Sequence, residues 1–221
     1  MRVPFWIAAL MLAVHAGAMA ACSPGPDPAG FALAREPGWR CESEQDSLRV
    51  YSRPGRGQRV SEVLATALVE GSARRLYDVI RDYRNYPSFM PYVQDAQVLR
   101  EISGETWVFQ QLRFPIPFLS GRYYTIRLVH QEDPTAGRYR VEWNLADDAA
   151  PPGRGEGVAV RLNRGAWELR RTPGGQAVAV SYFLLTDPGE NVPAWVADLA
   201  NTTALPKVLE AVAARAGARL R

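Results

Sequence analysis

RYRVEWNL, Arg138 to Leu145, alternates along its whole length. Tyr139, Val141, Trp143 and Leu145 fall on one side of an extended chain; Arg138, Arg140, Glu142 and Asn144 fall on the other. A helix would scatter these residues around its axis, whereas a strand sends successive side chains to opposite faces. The segment therefore reads as a strand with one buried face and one wet face, the habit of antiparallel sheets. Downstream, AVAVSYFLLT (177–186) repeats the pattern, with Val178, Val180, Tyr182 and Leu184 on one face. In VAVRLNRGAWELR (158–170) the apolar parity is even at Val158, Val160 and Leu162, then odd at Trp167 and Leu169. An extra residue near Asn163 to Gly165, such as a β-bulge, is expected to re-register that strand. Turn residues at Ser103-Gly104, Asp133-Pro134, Ala136-Gly137 and Pro173-Gly174-Gly175 space these strands as successive hairpins.

Working toward the N-terminus, LRVYSRP (48–54) reads as the first strand and RVSEVLATALVEG (59–71) as the second. Ser72 then stands where an N-cap belongs. Leu76, Val79, Ile80 and Tyr83 follow at the spacing of one helix face. Asn85-Tyr86-Pro87 stops that helix; Pro87 can open a second, very short one that Pro91 ends. Toward the C-terminus, Asp187-Pro188-Gly189 breaks the last strand, and from Val192 the pattern turns helical. Trp195, Val196 and Leu199 form a short face; Leu205, Val208, Leu209, Val212, Ala213 and Ala216 form a longer one. Pro206 kinks this helix or begins its second half, and Arg215, Arg219 and Arg221 suit the negative end of its dipole. The predicted class is α+β: a curved antiparallel sheet wrapped around a long C-terminal helix.

The 221 residues are 47% apolar with a net charge of +3. That suits a globular domain with a real core and does not predict a nucleic-acid partner. MRVPFWIAALMLAVHAGAMAAC places one Arg before an apolar run and small residues after it, the layout of a secretory signal peptide over residues 1–21. A Pro/Gly-rich tether (22–38) and a domain (39–221) follow. An exported, periplasmic protein is expected. Two readings of Cys22 stay open: a lipidated membrane anchor in a lipobox-like Met19-Ala20-Ala21-Cys22, or a disulfide with Cys41, the other cysteine.

The order of elements and several strings resemble the START (StAR-related lipid-transfer) family within the superfamily that includes polyketide cyclases. The strings are VYSRP, YDVIRDYRNYPSFMPYV, FPIPFLSGRYY, RGAWEL and DPGENVPAWVADLANTTALPKVLEAV, spread from Trp39 to Arg215. Gly121 and Tyr123 flank Arg122 where bacterial members usually carry acids. The resemblance implies a helix-grip fold enclosing a cavity for a hydrophobic ligand, and no cofactor.

Chemistry-bearing patterns are sparse. His130 sits on a strand with no nucleophile elbow before a helix, and one mature histidine and two cysteines make no metal cluster. No catalytic or metal residues are assigned. Arg122 shares strand parity with Tyr124, Ile126 and Leu128, which turns it inward, either to a ligand's polar group or to loop carbonyls or an acid such as Asp95. The candidate ligand-binding residues are Phe89, Met90, Tyr92, Arg122, Tyr124, Trp143, Trp167, Tyr182, Trp195 and Leu199. The leading function is a monomeric carrier of a lipid or other hydrophobic molecule that touches membranes transiently. The alternatives are a polyketide cyclase or aromatase-like enzyme, with Arg122, a Tyr hydroxyl or His130 moving protons, and a quinone-binding chaperone.

Overall fold

The computed structural model describes residues 37–55, 60–146, 151, 156–187, 189 and 203–221. The leader, Cys22, nearly all of the tether, and the helical reading around Trp195 and Leu199 lie outside the described residues.

The strands are β1 (Arg40–Gln45), β2 (Leu48–Pro54), β3 (Ser61–Glu70), β4 (Val93–Ile102), β5 (Glu105–Leu112), β6 (Arg122–Asp133), β7 (Arg138–Leu145), β8 (Val158–Ala159), β9 (Leu162–Arg171), β10 (Ala177–Asp187) and β11 (Arg219–Leu220). They form one sheet in the order β1-β2-β3-β10-β9-β7-β6-β5-β4, with β11 added to β3 and β8 to β6. Every pairing is antiparallel except that of β8 with β6. The first half of the chain thus supplies both sheet edges, and the hairpins β5-β6-β7 and β9-β10 fill the centre.

The alternation in β7 places Tyr139, Val141 and Trp143 in the main core while Arg138 and Asn144 stay exposed. On β10, Val178 and Val180 enter that same core with Tyr182 and Leu184 packed against it. The opposite face of β10 is buried too. Phe183 and Leu185 join Leu64 there, and Trp39 meets Phe183 edge to face at 6.5 Å. Arg53 lies over the Trp39 ring at 4.2 Å and bonds Glu62 at 2.6 Å, and Arg164 reaches the same carboxylate at 3.2 Å. Charges this deep persist because each is paired.

Helix α1 (Ala73–Ile80) is capped by Ser72, whose hydroxyl accepts from the Arg75 amide. Its buried face is Ala73, Leu76, Tyr77 and Ile80. Val79 is half-buried, and Tyr77, absent from the expected face, is fully buried and stacked on Tyr139 at 4.7 Å. A single 3₁₀ turn (Tyr83–Asn85) leads into α2 (Tyr86–Phe89), with Pro87 in its first turn as expected. The last helix, α3 (Leu205–Arg215), buries Leu205, Leu209, Val212 and Ala213. Pro206 lies in its first turn, where a missing N–H leaves no bond unmade.

Three expectations need correction. A strand, β1, precedes LRVYSRP; RCESEQ carries no alternation because both its faces are largely exposed, and it pairs through its backbone. No bulge interrupts β9, whose register with β7 and β10 is continuous. The parity changes earlier, at Val160 and Arg161, where β8 ends and the chain crosses from β6 to a new partner. Leu162 therefore faces the outer cluster, while Asn163, Gly165 and Trp167 share the inner face. Arg219 and Arg221 do not belong to the helix. Gly217, at φ +65°, reverses the chain, with Ala218 N–H bonding Ala213 O at 2.9 Å and Gly217 N–H bonding Ala214 O at 3.0 Å. The tail then runs back along β3, where Arg221 bonds Glu70 at 3.0 Å.

Candidate functional site

A cavity of about 190 Å³ lies between the inner face of the sheet and helices α1, α2 and α3. Inward parity on β6 puts Arg122, Tyr124, Ile126 and Leu128 on its wall, as alternation from Arg122 requires. Trp143 of β7, Trp167 of β9 and Tyr182 of β10 form a continuous aromatic surface beside them. Tyr182 stacks on Trp167 at 4.3 Å and on Trp143 at 5.8 Å between ring centroids. Trp143 and Tyr182 belong to strands separated by β9, and Gly165 of β9 makes their contact possible. A Cβ there would stand 2.1 Å from Trp143 Cζ2 and 2.5 Å from the Phe183 carbonyl. The helical side of the cavity is closed by Ile80, Tyr86, Met90, Leu205 and Val208.

Of the expected ligand-binding residues, the fold brings Met90, Tyr92, Arg122, Tyr124, Trp143, Trp167 and Tyr182 to one cavity. Phe89 is placed differently: it is half-buried, packs edge to face on Tyr86 at 5.5 Å, and carries the Arg215 guanidinium 5.4 Å from its ring. Trp195 and Leu199 lie outside the described residues.

Polar groups on the wall are few and mostly engaged. The Arg122 guanidinium donates to the carbonyls of Ser120 and Gly121, and burial lowers its pKa. Trp143 Nε1 donates to Asn163 Oδ1 at 2.9 Å, and the Tyr124 hydroxyl donates to Gln110 Oε1 at 2.6 Å. The Thr186 hydroxyl bonds the Leu162 carbonyl at 3.1 Å. Tyr124 and Tyr182 are only half-buried by surface area, yet desolvation drives both phenols well above the ordinary tyrosine range. Both rings line the cavity.

Asn163 and Gln110 escaped the sequence reading. Continuing the odd parity of Trp167 and Leu169 back through β9 would have found Asn163; the presumed bulge hid it. Gln110 shares the parity of Val108 on β5, in a segment, ETWVFQQL, that is apolar on both faces and so gives no inward direction.

His130 is not among the cavity-lining residues. It sits under α1, within 3.4 Å of the Tyr77 hydroxyl through Nδ1 and 3.2 Å of the Thr106 hydroxyl through Nε2. Desolvation, reinforced by Arg81, pushes its pKa down to about 4. The imidazole is therefore neutral at neutral pH. Among the described residues no group of three or more His, Cys, Asp and Glu stands where it could hold a metal ion.

At the cavity rim, Tyr92 packs against Phe114 at 5.3 Å, and the Lys207 ammonium lies 6.0 Å from the Tyr92 ring. Phe114 opens the β5–β6 connection, RFPIPFLSG, whose Phe118 stands free of the protein at 107% relative exposure, with φ +64°.

An open, curved antiparallel sheet closed by a C-terminal helix over an apolar cavity defines a helix-grip protein. The chain belongs to the polyketide cyclase / dehydrase and lipid transport family, which matches residues 69–213. It is similar to an uncharacterized protein of Pseudomonas aeruginosa, 23% identical over 171 residues that cover 77% of this chain and 81% of that one. Among solved structures it resembles the STAR-related lipid transfer protein of Xanthomonas axonopodis, at 22% identity and a TM-score of 0.71, covering 81% of this chain and 99% of that chain. It also resembles human StAR-related lipid transfer protein 5, at 14% identity and a TM-score of 0.74, covering 84% of this chain and 89% of that chain. Family and fold together support binding of a hydrophobic ligand.

Proposed function

We propose that the protein is an exported carrier that holds a lipid or other hydrophobic molecule in this cavity and transfers it between membranes. The observation that carries the reading is the cavity itself: an aromatic and aliphatic wall, with its hydrogen-bonding groups largely engaged by one another or by backbone. Burying apolar ligand area there contributes about 25 cal/mol per Å², and binding by burial requires no catalytic group. Phe118 supports the membrane step. A fully exposed phenylalanine on a Pro- and Phe-rich loop that joins the cavity rim is suited to enter a lipid surface.

A cyclase would need proton donors and acceptors around the bound chain. His130 is not itself among the cavity-lining residues, Arg122 is bonded to carbonyls, and the tyrosines hold their protons. These placements favour the carrier. The lipid anchor and the disulfide with Cys41 both remain readings of Cys22, which lies outside the described residues. Export itself rests on the leader.

The test is extraction and transfer. Purified protein is incubated with donor vesicles containing labelled lipid, and label arriving in acceptor vesicles is measured. Protein-dependent transfer is expected. A protein that neither retains lipid nor speeds its exchange would overturn the carrier reading.

A further inference from the structure

The cavity of about 190 Å³ is smaller than the roughly 300–1,000 Å³ of pockets that enclose drug-sized ligands. Part of its wall must give way before a lipid enters. The sheet side is fixed by unbroken pairing from β5 through β6, β7 and β9 to β10. Helix α1 is held by Tyr77, whose ring stacks on Tyr139 and whose hydroxyl donates to Glu132 Oε1 at 2.9 Å. Helix α2 is held by the Tyr86 hydroxyl, which donates to the Ile80 carbonyl at 2.6 Å. That leaves α3, whose two ends are secured very differently.

Its C-terminal end is tied down. Beyond Gly217 the tail pairs with β3 as β11, with Arg219 opposite Glu70 and Leu220 opposite Val69. The Arg221 amide donates to the Leu68 carbonyl at 2.9 Å, and the Arg221 carbonyl accepts from the Ser47 amide at 2.8 Å. The tail therefore joins α3 to β3 and to the β1–β2 turn at once. Ala218 and Leu220 pack against the main core, and a Cβ at Gly71 would stand 3.3 Å from that of Ala218. The N-terminal end has less to hold it. Ala204 makes no side-chain cap bond, no acid stands in the first turn, and Pro206 brings no N–H. The α3 residues that line the cavity, Leu205 and Val208, come from this half, whereas Val212, Ala213 and Ala216 lie in the core beyond it.

We propose that the tail Ala218–Arg221 is a strap that fixes the C-terminal end of α3 to β3, so that the helix yields at its N-terminal half and the cavity opens there, beside Lys207 and Tyr92. The carrier reading on which this rests gives the motion its use; the strap itself is read from the helix, without any ligand.

Hydrogen exchange of the ligand-free protein, resolved to single amides by NMR, tests it. Val208 and Leu209 lie past the first helical N–H groups, as Val212 and Ala213 do, so a difference between the pairs reports local opening. Val208 and Leu209 should exchange at least about tenfold faster than Val212 and Ala213. In a variant that ends at Gly217, exchange at Val212 and Ala213 should rise at least about tenfold while amides of β7 and β9 keep their wild-type rates. Leu220→Ala, which keeps the backbone pairing, should raise it about threefold to tenfold, and it carries the test alone where the shortened chain does not fold. Equal protection along α3 in the wild type overturns the inference. So does a variant that leaves α3 unchanged, or one that speeds exchange in β7 and β9 in step with it, because the tail would then stabilise the domain as a whole.

Discussion

Gly165→Ala is a small change with a large expected effect. The added methyl carbon would lie 2.1 and 2.6 Å from two atoms of the Trp143 indole and 2.5 Å from the Phe183 carbonyl oxygen. All three distances are far inside van der Waals contact, and none of the atoms is the free end of a flexible chain. The indole must move, and β9 must shift away from β10. Overpacking of this kind costs about 1–3 kcal/mol. Displacing Trp143 also breaks its 2.9 Å bond to Asn163 and its stack on Tyr182, adding about 1 kcal/mol for the bond and about 0.5–1.5 kcal/mol for the ring pair. The expected loss is about 3–5 kcal/mol, a large part of a typical domain's stability. Urea unfolding followed by tryptophan fluorescence measures it, and near-ultraviolet circular dichroism reports the broken stack. In a Trp143→Leu background the same Gly165→Ala change should cost at least about 1 kcal/mol less, because the indole contacts are gone and the carbonyl contact remains. A variant within about 0.5 kcal/mol of wild type, with unchanged dichroism, would refute the account of how the aromatic wall is built.

Other perturbations probe separate parts. His130 titrates near 4 in the fold against 6.5 when unperturbed; its neutral form is the one the fold prefers, so its contribution is full above about pH 6.5 and drains away as pH falls toward 4. His130→Asn should flatten that part of the stability profile, measured by urea midpoints from pH 7 to 4; parallel profiles for variant and wild type would contradict it. Phe118→Ser should slow transfer between vesicles severalfold while leaving equilibrium ligand retention intact, and a retained transfer rate would remove this loop from the membrane step. Arg53→Met strands Glu62 beside its remaining partner Arg164 and should cost about 3 kcal/mol in chemical denaturation; a near-neutral result would mean that Arg164 alone neutralises the carboxylate.

Much of the architecture was legible before any coordinates. Alternation in RYRVEWNL and AVAVSYFLLT located β7 and β10 and chose their inward faces, because a strand's side-chain period is a local property of its backbone. Helical spacing likewise found the buried stripe of α3, and Pro87 and Pro91 marked the short turn of α2. The same parity argument turned Arg122 and Tyr124 inward, and both line the cavity. Where the local signal failed, the cause was a partner distant in sequence. β1 and β11 show no alternation of their own and exist by pairing with β2 and β3. The parity change before β9 looked like a bulge because nothing local reveals that β8 pairs with a different strand. Tyr77 is buried by Tyr139, far from it along the chain and 4.7 Å away in space.

The amino-acid sequence by itself determined which faces are apolar, where the chain turns, and that an inner wall of aromatics would meet a terminal helix. Only the tertiary structure decided that Gly165 leaves room for Trp143 to reach Tyr182, that Arg122 is engaged by the Ser120 and Gly121 carbonyls, and that His130 packs behind Tyr83 rather than on the cavity wall. The physical reason is that periodicity is written along a single segment. Close packing and hydrogen-bond satisfaction are settled among side chains from several segments at once, and they fix what the cavity can hold.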